Sequence, residues 1–182
     1  MERTKMSFGG GSVDKLLFDT VCDILPEGNT ILELGSGWTT GEFIKRYKVY
    51  SVEHSKEWLN KYHNNYIYAP LKQHKEILNF TGYIWYDREV IIPEIPKIKY
   101  DLLLIDGPPY TRAGILKYLD FFNLNVPIVI DDVDRTHRDD MKIMIEIAKK
   151  IKKPYVVYGA GLGGKMFGVI NDPRLEVISG PA

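Results

Sequence analysis

TILELGSGWTTGEFIKRYKVYSVE, residues 30–53, reads as strand, glycine turn, helix, strand and acid. The apolar strand Ile31, Leu32, Leu34 runs into Gly35-Ser36-Gly37, where missing side chains let the backbone approach a ligand and the following helix aim free N–H groups at it. A second strand, Val49 to Val52, ends in Glu53, about 20 residues past the start of the turn, where a carboxylate accepts the hydroxyls of a ribose. The arrangement points to a nucleoside site.

What the loop lacks narrows the nucleoside. Dinucleotide loops carry G-x-G-x-x-G/A, whose third glycine permits close helix packing beneath a pyrophosphate, and here Thr40 takes that third position. Glu33, two residues before Gly35, repels a phosphate but suits a cationic sulfonium or an ammonium. Glu33-Leu34-Gly35-Ser36-Gly37 with Glu53 resembles motifs I and II of the class I S-adenosylmethionine-dependent methyltransferases. That resemblance covers residues 12–171 and implies S-adenosyl-L-methionine as cofactor. Glu33, Gly35, Ser36, Gly37 and Thr39 would lie about the methionyl part, Glu53 at the ribose, His54 and Leu71 at the adenine, and Asp106 at the cofactor, a metal or both.

The chain of 182 residues suits one α/β domain spanning residues 1–182, with a first helix over about 12–25 and a core over about 30–171. Lysine plus arginine equals aspartate plus glutamate at 24 each, so no net field gathers polyanions and nucleic acid is disfavoured as a partner. The single Cys22 sits on an apolar helix face and cannot form an internal disulfide, which suits a reducing compartment. No signal-peptide core and no uncharged run of about 18 residues is present, so a soluble, cytoplasmic protein without membrane spans is expected. Oligomeric state is left open.

Ser12 can cap the first helix, whose stripe is Val13, Leu16, Leu17, Val21, Ile24 and Leu25. Helices are expected over about 40–47, 56–62, 113–122 and 139–152, and strands over 31–34, 49–53, 65–69, 100–105, 127–130, 155–158 and 166–170. Residues 83–87 fit a strand or an active-site loop, and Pro93 and Pro96 argue against a long helix after them. The alternation predicts an α/β fold, a doubly wound, mostly parallel, Rossmann-like sheet with helices on both faces. The seven-stranded count and the closing antiparallel hairpin are what the resemblance implies. GAGLGG, residues 159–164, matches a dinucleotide fingerprint letter for letter. It precedes a strand-like MFGVI rather than a helix, so it reads as a hairpin turn.

Ligands in open α/β sheets bind beyond the carboxyl ends of strands. There Asp106 follows YDLLLI and Asp131-Asp132 follows VPIVI. Adjacent strands lie about 5 Å apart, so the three carboxylates can converge, and an all-oxygen set suits Mg²⁺ or Mn²⁺ better than zinc. The pattern resembles catechol and macrocin-type metal-dependent O-methyltransferases, which implies Asp106, Asp131 and Asp132 as metal ligands and a small-molecule or sugar acceptor. Pro109 stands where the catechol type has its lysine base, so the base is unassigned; Asp106, Asp131 and His137 are the catalytic candidates, and His137 is the histidine best placed to act as a base near the acid pair. Tyr110, Arg112 and Arg135 are candidate substrate contacts, the arginines for an anionic acceptor, and Trp85, Tyr86 and Asp87 can line the acceptor pocket.

Three other readings remain. DGPPY, residues 106–110, resembles the Asp/Asn-Pro-Pro-Tyr/Phe motif of amino-methyltransferases, with Gly107 in the slot of the amine-holding residue. A nicotinamide-dependent oxidoreductase would share the fold but lack the reason for Glu33. A catalytically idle nucleoside-binding or scaffold module would bind the cofactor and transfer nothing.

Overall fold

A computed structural model of the chain describes residues 15–74, 84–108, 112–133, 138–159 and 165–175. The helices are α1 (Lys15–Ile24), α2 (Thr40–Phe43), α3 (Arg88–Glu94) and α4 (Arg138–Ile151). The strands are β1 (Thr30–Leu34), β2 (Lys48–Glu53), β3 (Tyr66–Tyr68), β4 (Leu71–Gln73), β5 (Ile84–Tyr86), β6 (Leu102–Ile105), β7 (Ile128–Ile130), β8 (Tyr155–Gly159) and β9 (Met166–Ile170). Seven strands form one sheet in the order β3-β2-β1-β6-β7-β9-β8, and β4 with β5 form a separate antiparallel ribbon. β1, β2, β3, β6 and β7 run parallel, while β9 is antiparallel to β7 and β8. This is the doubly wound sheet with a closing hairpin that the sequence implied.

β6 and β7 are apolar at every position, and β1 is apolar apart from Thr30 and Glu33, because both faces of these strands are covered. Successive side chains point to opposite faces. Leu32, Leu34, Leu103, Ile105, Ile128 and Ile130 join one core layer with Ile143, Met144 and Ile147 of α4. Ile31, Val49, Leu102, Leu104 and Val129 join the other with Leu17 and Val21 of α1 and Phe43 of α2. Leu17, Val21 and Ile24 recur at helical spacing and are all buried, so Leu17→Ala in α1 would cost about 2–5 kcal/mol through the cavity it leaves.

Local departures have local causes. Residues 56–62 form successive turns rather than a helix, with Trp58 N–H bonded to Ser55 O and Lys61 N–H to Trp58 O. Asn60 there adopts φ +56°, outside any right-handed helix. The expected helix over 113–122 is two 3-10 segments, Ala113–Lys117 and Leu119–Phe121. Trp85 packs directly over Gly114 and stacks on Tyr118 at 5.2 Å between ring centroids, so this stretch is shaped by the β5 side chain above it. α2 ends after Phe43, where the backbone tightens to three-residue bonds such as Arg46 N–H to Phe43 O. Residues 84–86 are a strand, and α3 is short, starting at an Asp87 side chain that accepts from Glu89 N–H at 3.1 Å. Ser12 and residues 160–164 lie outside the described residues, but Gly159 pairs with Met166 in adjacent antiparallel strands, as a hairpin reading of GAGLGG requires.

Candidate functional site

The strand order reverses between β1 and β6, and the loops leaving these two strands cross at that point. Gly35 follows β1 with φ +88°, a conformation costly for any residue with a side chain. A Cβ there would stand 2.8 Å from Gly107 N and 2.9 Å from Gly107 Cα. Asp106 N–H and Gly107 N–H both donate to Leu34 O, at 3.0 and 2.6 Å. The first glycine therefore holds the β1 loop against the β6 loop. Gly37 differs, because a Cβ built on it would meet nothing within 4 Å.

Two acids anchor the turn from opposite sides. Glu33 is 2% exposed and accepts from Thr40 Oγ1 at 2.8 Å and Ser51 Oγ at 2.5 Å. Burial pushes its carboxyl up to about 8, with the two hydroxyls pulling the other way. With Gly35, Gly37, Thr39 and Asp106 it lines a recess of about 10 Å³. Thr40, at the third-glycine position, also accepts from Gly37 N–H at 3.0 Å, so its side chain fills the space that a dinucleotide loop keeps open. Glu53 accepts from Ser36 N–H at 2.8 Å, His54 N–H at 2.7 Å and Ser55 N–H at 2.6 Å. A carboxylate offers about four acceptor positions, so Oε2 keeps one for a hydroxyl. His54 Nδ1 lies 2.9 Å from Glu53 Oε1, and Leu71 is half-buried on β4 opposite Tyr86.

Beyond β6 and β7, Asp106, Asp131 and Asp132 converge as expected, each offering an oxygen within 4.8 Å of the others. Asp132 adopts φ +57°. Burial, then the carboxylates of Asp106 and Asp132, raises Asp131 from the ordinary carboxylate range to about 7, and its Oδ1 has no hydrogen-bond partner. Asp106 is also raised, by burial above all, with Arg112 opposing.

Arg112 is a correction to the sequence reading. Rather than reaching toward an anionic substrate, it is 6% exposed and lies beneath the acids. Nε donates to Asp106 O at 3.1 Å. Nη1 donates to Asp131 O at 3.1 Å and Asp140 Oδ2 at 2.6 Å, and Nη2 to Asp106 O at 2.5 Å and Asp132 Oδ2 at 3.2 Å. Burial opposes its charge, but the carboxylates of Asp140, Asp106 and Asp132 outweigh it and hold the guanidinium protonated. Lys165 Nζ stands 3.8 Å from Asp132 Oδ1. Tyr110, Arg135 and His137 lie outside the described residues. Trp85 and Tyr86, considered for the acceptor pocket, are both fully buried.

The sequence reading missed Ser51, Asp140 and the pairing of Ser36 Oγ with Tyr66 Oη at 2.9 Å. Ser51 stands opposite Glu33 in the β1–β2 register, so a polar residue amid the β2 apolar run was the available signal. Asp140, in the first turn of α4, is indistinguishable in sequence from an ordinary helix-start acid.

No family model matches the chain, and neither does any curated protein sequence. Solved structures do match. A SAM-dependent methyltransferase from Aquifex aeolicus aligns at TM-score 0.51 and 16% identity over 86% of this chain and 86% of its own. A Streptococcus mutans methyltransferase in complex with SAH aligns at 0.50 and 12%, over 86% and 96%. The T. thermophilus 16S rRNA N2 G1207 methyltransferase, in complex with AdoMet and guanosine, aligns at 0.50 and 14%, over 90% of this chain but 40% of its own. The chain shares the fold of these methyltransferase structures. Among the described residues no helix is long and apolar enough to cross a membrane.

Proposed function

We propose that the protein is an S-adenosylmethionine-dependent methyltransferase acting on a hydroxyl oxygen of a small molecule or sugar. The observation that carries this is the β1 turn. Gly35 brings two loops into contact at the strand-order reversal, Thr40 fills the position a pyrophosphate loop leaves to glycine, and Glu53 keeps an acceptor position beside Ser36. These residues fit an adenosyl cofactor better than a nicotinamide dinucleotide. Gly35, Ser36, Gly37 and Thr39 seat its amino-acid end and Glu53, His54 and Leu71 its nucleoside. When bound, the cofactor supplies a methyl group on a positively charged sulfur.

The chain's own task is then alignment, water exclusion and removal of one proton. Asp131 is the fitting base, because a carboxyl near 7 accepts a proton from a hydroxyl at neutral pH and Oδ1 has no competing partner. Asp106 sets the floor between base and cofactor, and Tyr110, Arg135 and His137 remain acceptor-side candidates. The three aspartates also fit a divalent cation, since the donors are all oxygen, lie within 4.8 Å and include the unpaired Oδ1. Mg²⁺ or Mn²⁺ held there would acidify the acceptor hydroxyl. N-methylation is the weaker reading, because Gly107 has no side chain with which to hold an amine.

The test is calorimetric titration with S-adenosylhomocysteine and NAD, followed by labelled methyl transfer to a panel of hydroxylated acceptors with EDTA or added Mg²⁺. Binding of S-adenosylhomocysteine alone, with transfer, is expected. Binding of NAD instead refutes the reading, binding without transfer to any acceptor leaves a scaffold, and full turnover in EDTA removes the metal.

A further inference from the structure

Buried polar groups nearly always find a hydrogen-bond partner, and those that do not call for an explanation. Tyr86 is entirely buried, and its hydroxyl has no partner. A phenylalanine would fill the same space without an unpaired oxygen. The hydroxyl stands at the crossing of the β1 and β6 loops, since a Cβ built on Gly107 would come within 2.7 Å of Tyr86 Oη and 2.9 Å of Gly35 Cα. The charged groups that act on it are Glu53, Asp106, Arg112 and Glu33. Neither nearby loop acid takes its proton. The hydroxyl has no acceptor within hydrogen-bond distance, although Glu53 keeps a free position on Oε2, and Asp106 lies against Arg112.

The backbone shows which side of the site this oxygen serves. Ala69 N–H donates to Glu53 O at 2.9 Å, and Asp87 N–H to Pro70 O at 2.8 Å, so the ribbon carrying Tyr86 continues the wall that begins at Glu53. Leu71 lies directly across the ribbon from Tyr86, and the His54 ring is 6.5 Å from the Tyr86 ring. These are the residues assigned above to the nucleoside.

We propose that Tyr86 is a cofactor-binding residue whose hydroxyl donates to a lone-pair atom of the nucleoside half of the cofactor. The inference rests on the methyltransferase reading and adds a donor that its sequence motifs do not contain. A neutral hydrogen bond of this kind corresponds to roughly a 5- to 10-fold change in affinity.

The test is Tyr86→Phe, which removes one oxygen and keeps the ring. Calorimetry with S-adenosylhomocysteine is expected to show Kd weakened about 5- to 10-fold, with the same loss for adenosine alone. Thermal melts of the ligand-free variant are expected at or above wild type, because an unpaired buried group has been removed. Three results overturn the inference: affinities within twofold of wild type, a loss seen for S-adenosylhomocysteine but not for adenosine, or a ligand-free melt lowered by more than about 3 °C, which would mean the hydroxyl has a structural partner. If wild type itself fails to bind S-adenosylhomocysteine, the methyltransferase reading falls and this inference with it. If wild type binds and the variant binds equally, only the inference falls.

Discussion

Replacing Arg112 with methionine preserves side-chain length and removes every donor. Asp131 O and Asp106 O lose bonds of 3.1 and 2.5 Å, and Asp140 and Asp132 lose bonds of 2.6 and 3.2 Å. Bonds to charged groups are worth about 1.5–3 kcal/mol each, but they do not add. Asp106 and Asp132 keep 23% and 21% of their side-chain surface in solvent and recover part of their hydration. Breaking a buried ion pair by removing one partner costs about 3–5 kcal/mol, and partial exposure places this case at the lower end, about 3 kcal/mol at pH 8. At about 2–4 °C per kcal/mol for a chain of this size, the melt falls by roughly 10 °C. The deficit carries a pH signature. Burial raises Asp106 and Arg112 is the main charge opposing that rise, so without the guanidinium Asp106 rises further, and stability present at low pH is lost as pH climbs through its folded-state pKa. Circular-dichroism melts at pH 5, 6.5 and 8 should show the gap from wild type widening with pH. A gap below about 3 °C at pH 8, or one as large at pH 5, would refute a guanidinium counter-ion. Arg112→Lys keeps the charge without the fork and should restore only part of the loss.

Gly35→Ala sets a Cβ 2.8 Å from backbone that cannot yield, at φ +88°, and should cost at least about 2 kcal/mol and abolish S-adenosylhomocysteine binding in calorimetry. Gly37→Ala meets open space and should leave the ligand-free melt within about 2 °C of wild type. Burial raises Glu33 from 4.5 to about 8 and Asp131 from 3.8 to about 7, so both acids bind protons more tightly when folded. Their contribution to stability is complete below about pH 4 and is lost as pH rises toward 8. The ligand-free melt should therefore climb as pH is lowered from 8 to 5.5, less steeply in Glu33→Gln, and a melt that falls over that interval contradicts the assignment. Asp131→Asn should reduce methyl transfer about 100-fold or more without lowering the melt at pH 8, and retained turnover would remove Asp131 as the base.

What could be read in advance divides by the range of the interaction. β6 and β7 were legible because a strand covered on both faces must be apolar at every position, and their aspartates followed because strand ends are where such sheets hold ligands. The turns at 56–62 were not, since Trp58 and the lysines there suit a helix, even though Asn60, at φ +56°, is a residue type that tolerates the left-handed region. Arg112 was misread for a related reason. Its partners come from three separate segments, the farthest 28 residues away at Asp140, and no local pattern brings them to one guanidinium. The even charge count concealed the same feature. Equal totals over the whole chain permit a local excess, and four aspartates, Asp106, Asp131, Asp132 and Asp140, gather where, among the described residues, Arg112 and Lys165 are cations beside them. Such a cluster folds only if its charge is answered within the pocket, by a buried cation, by a carboxyl that keeps its proton, or by a bound ion. Arg112 supplies the first, the raised Asp131 supplies the second, and the chelator experiment decides the third.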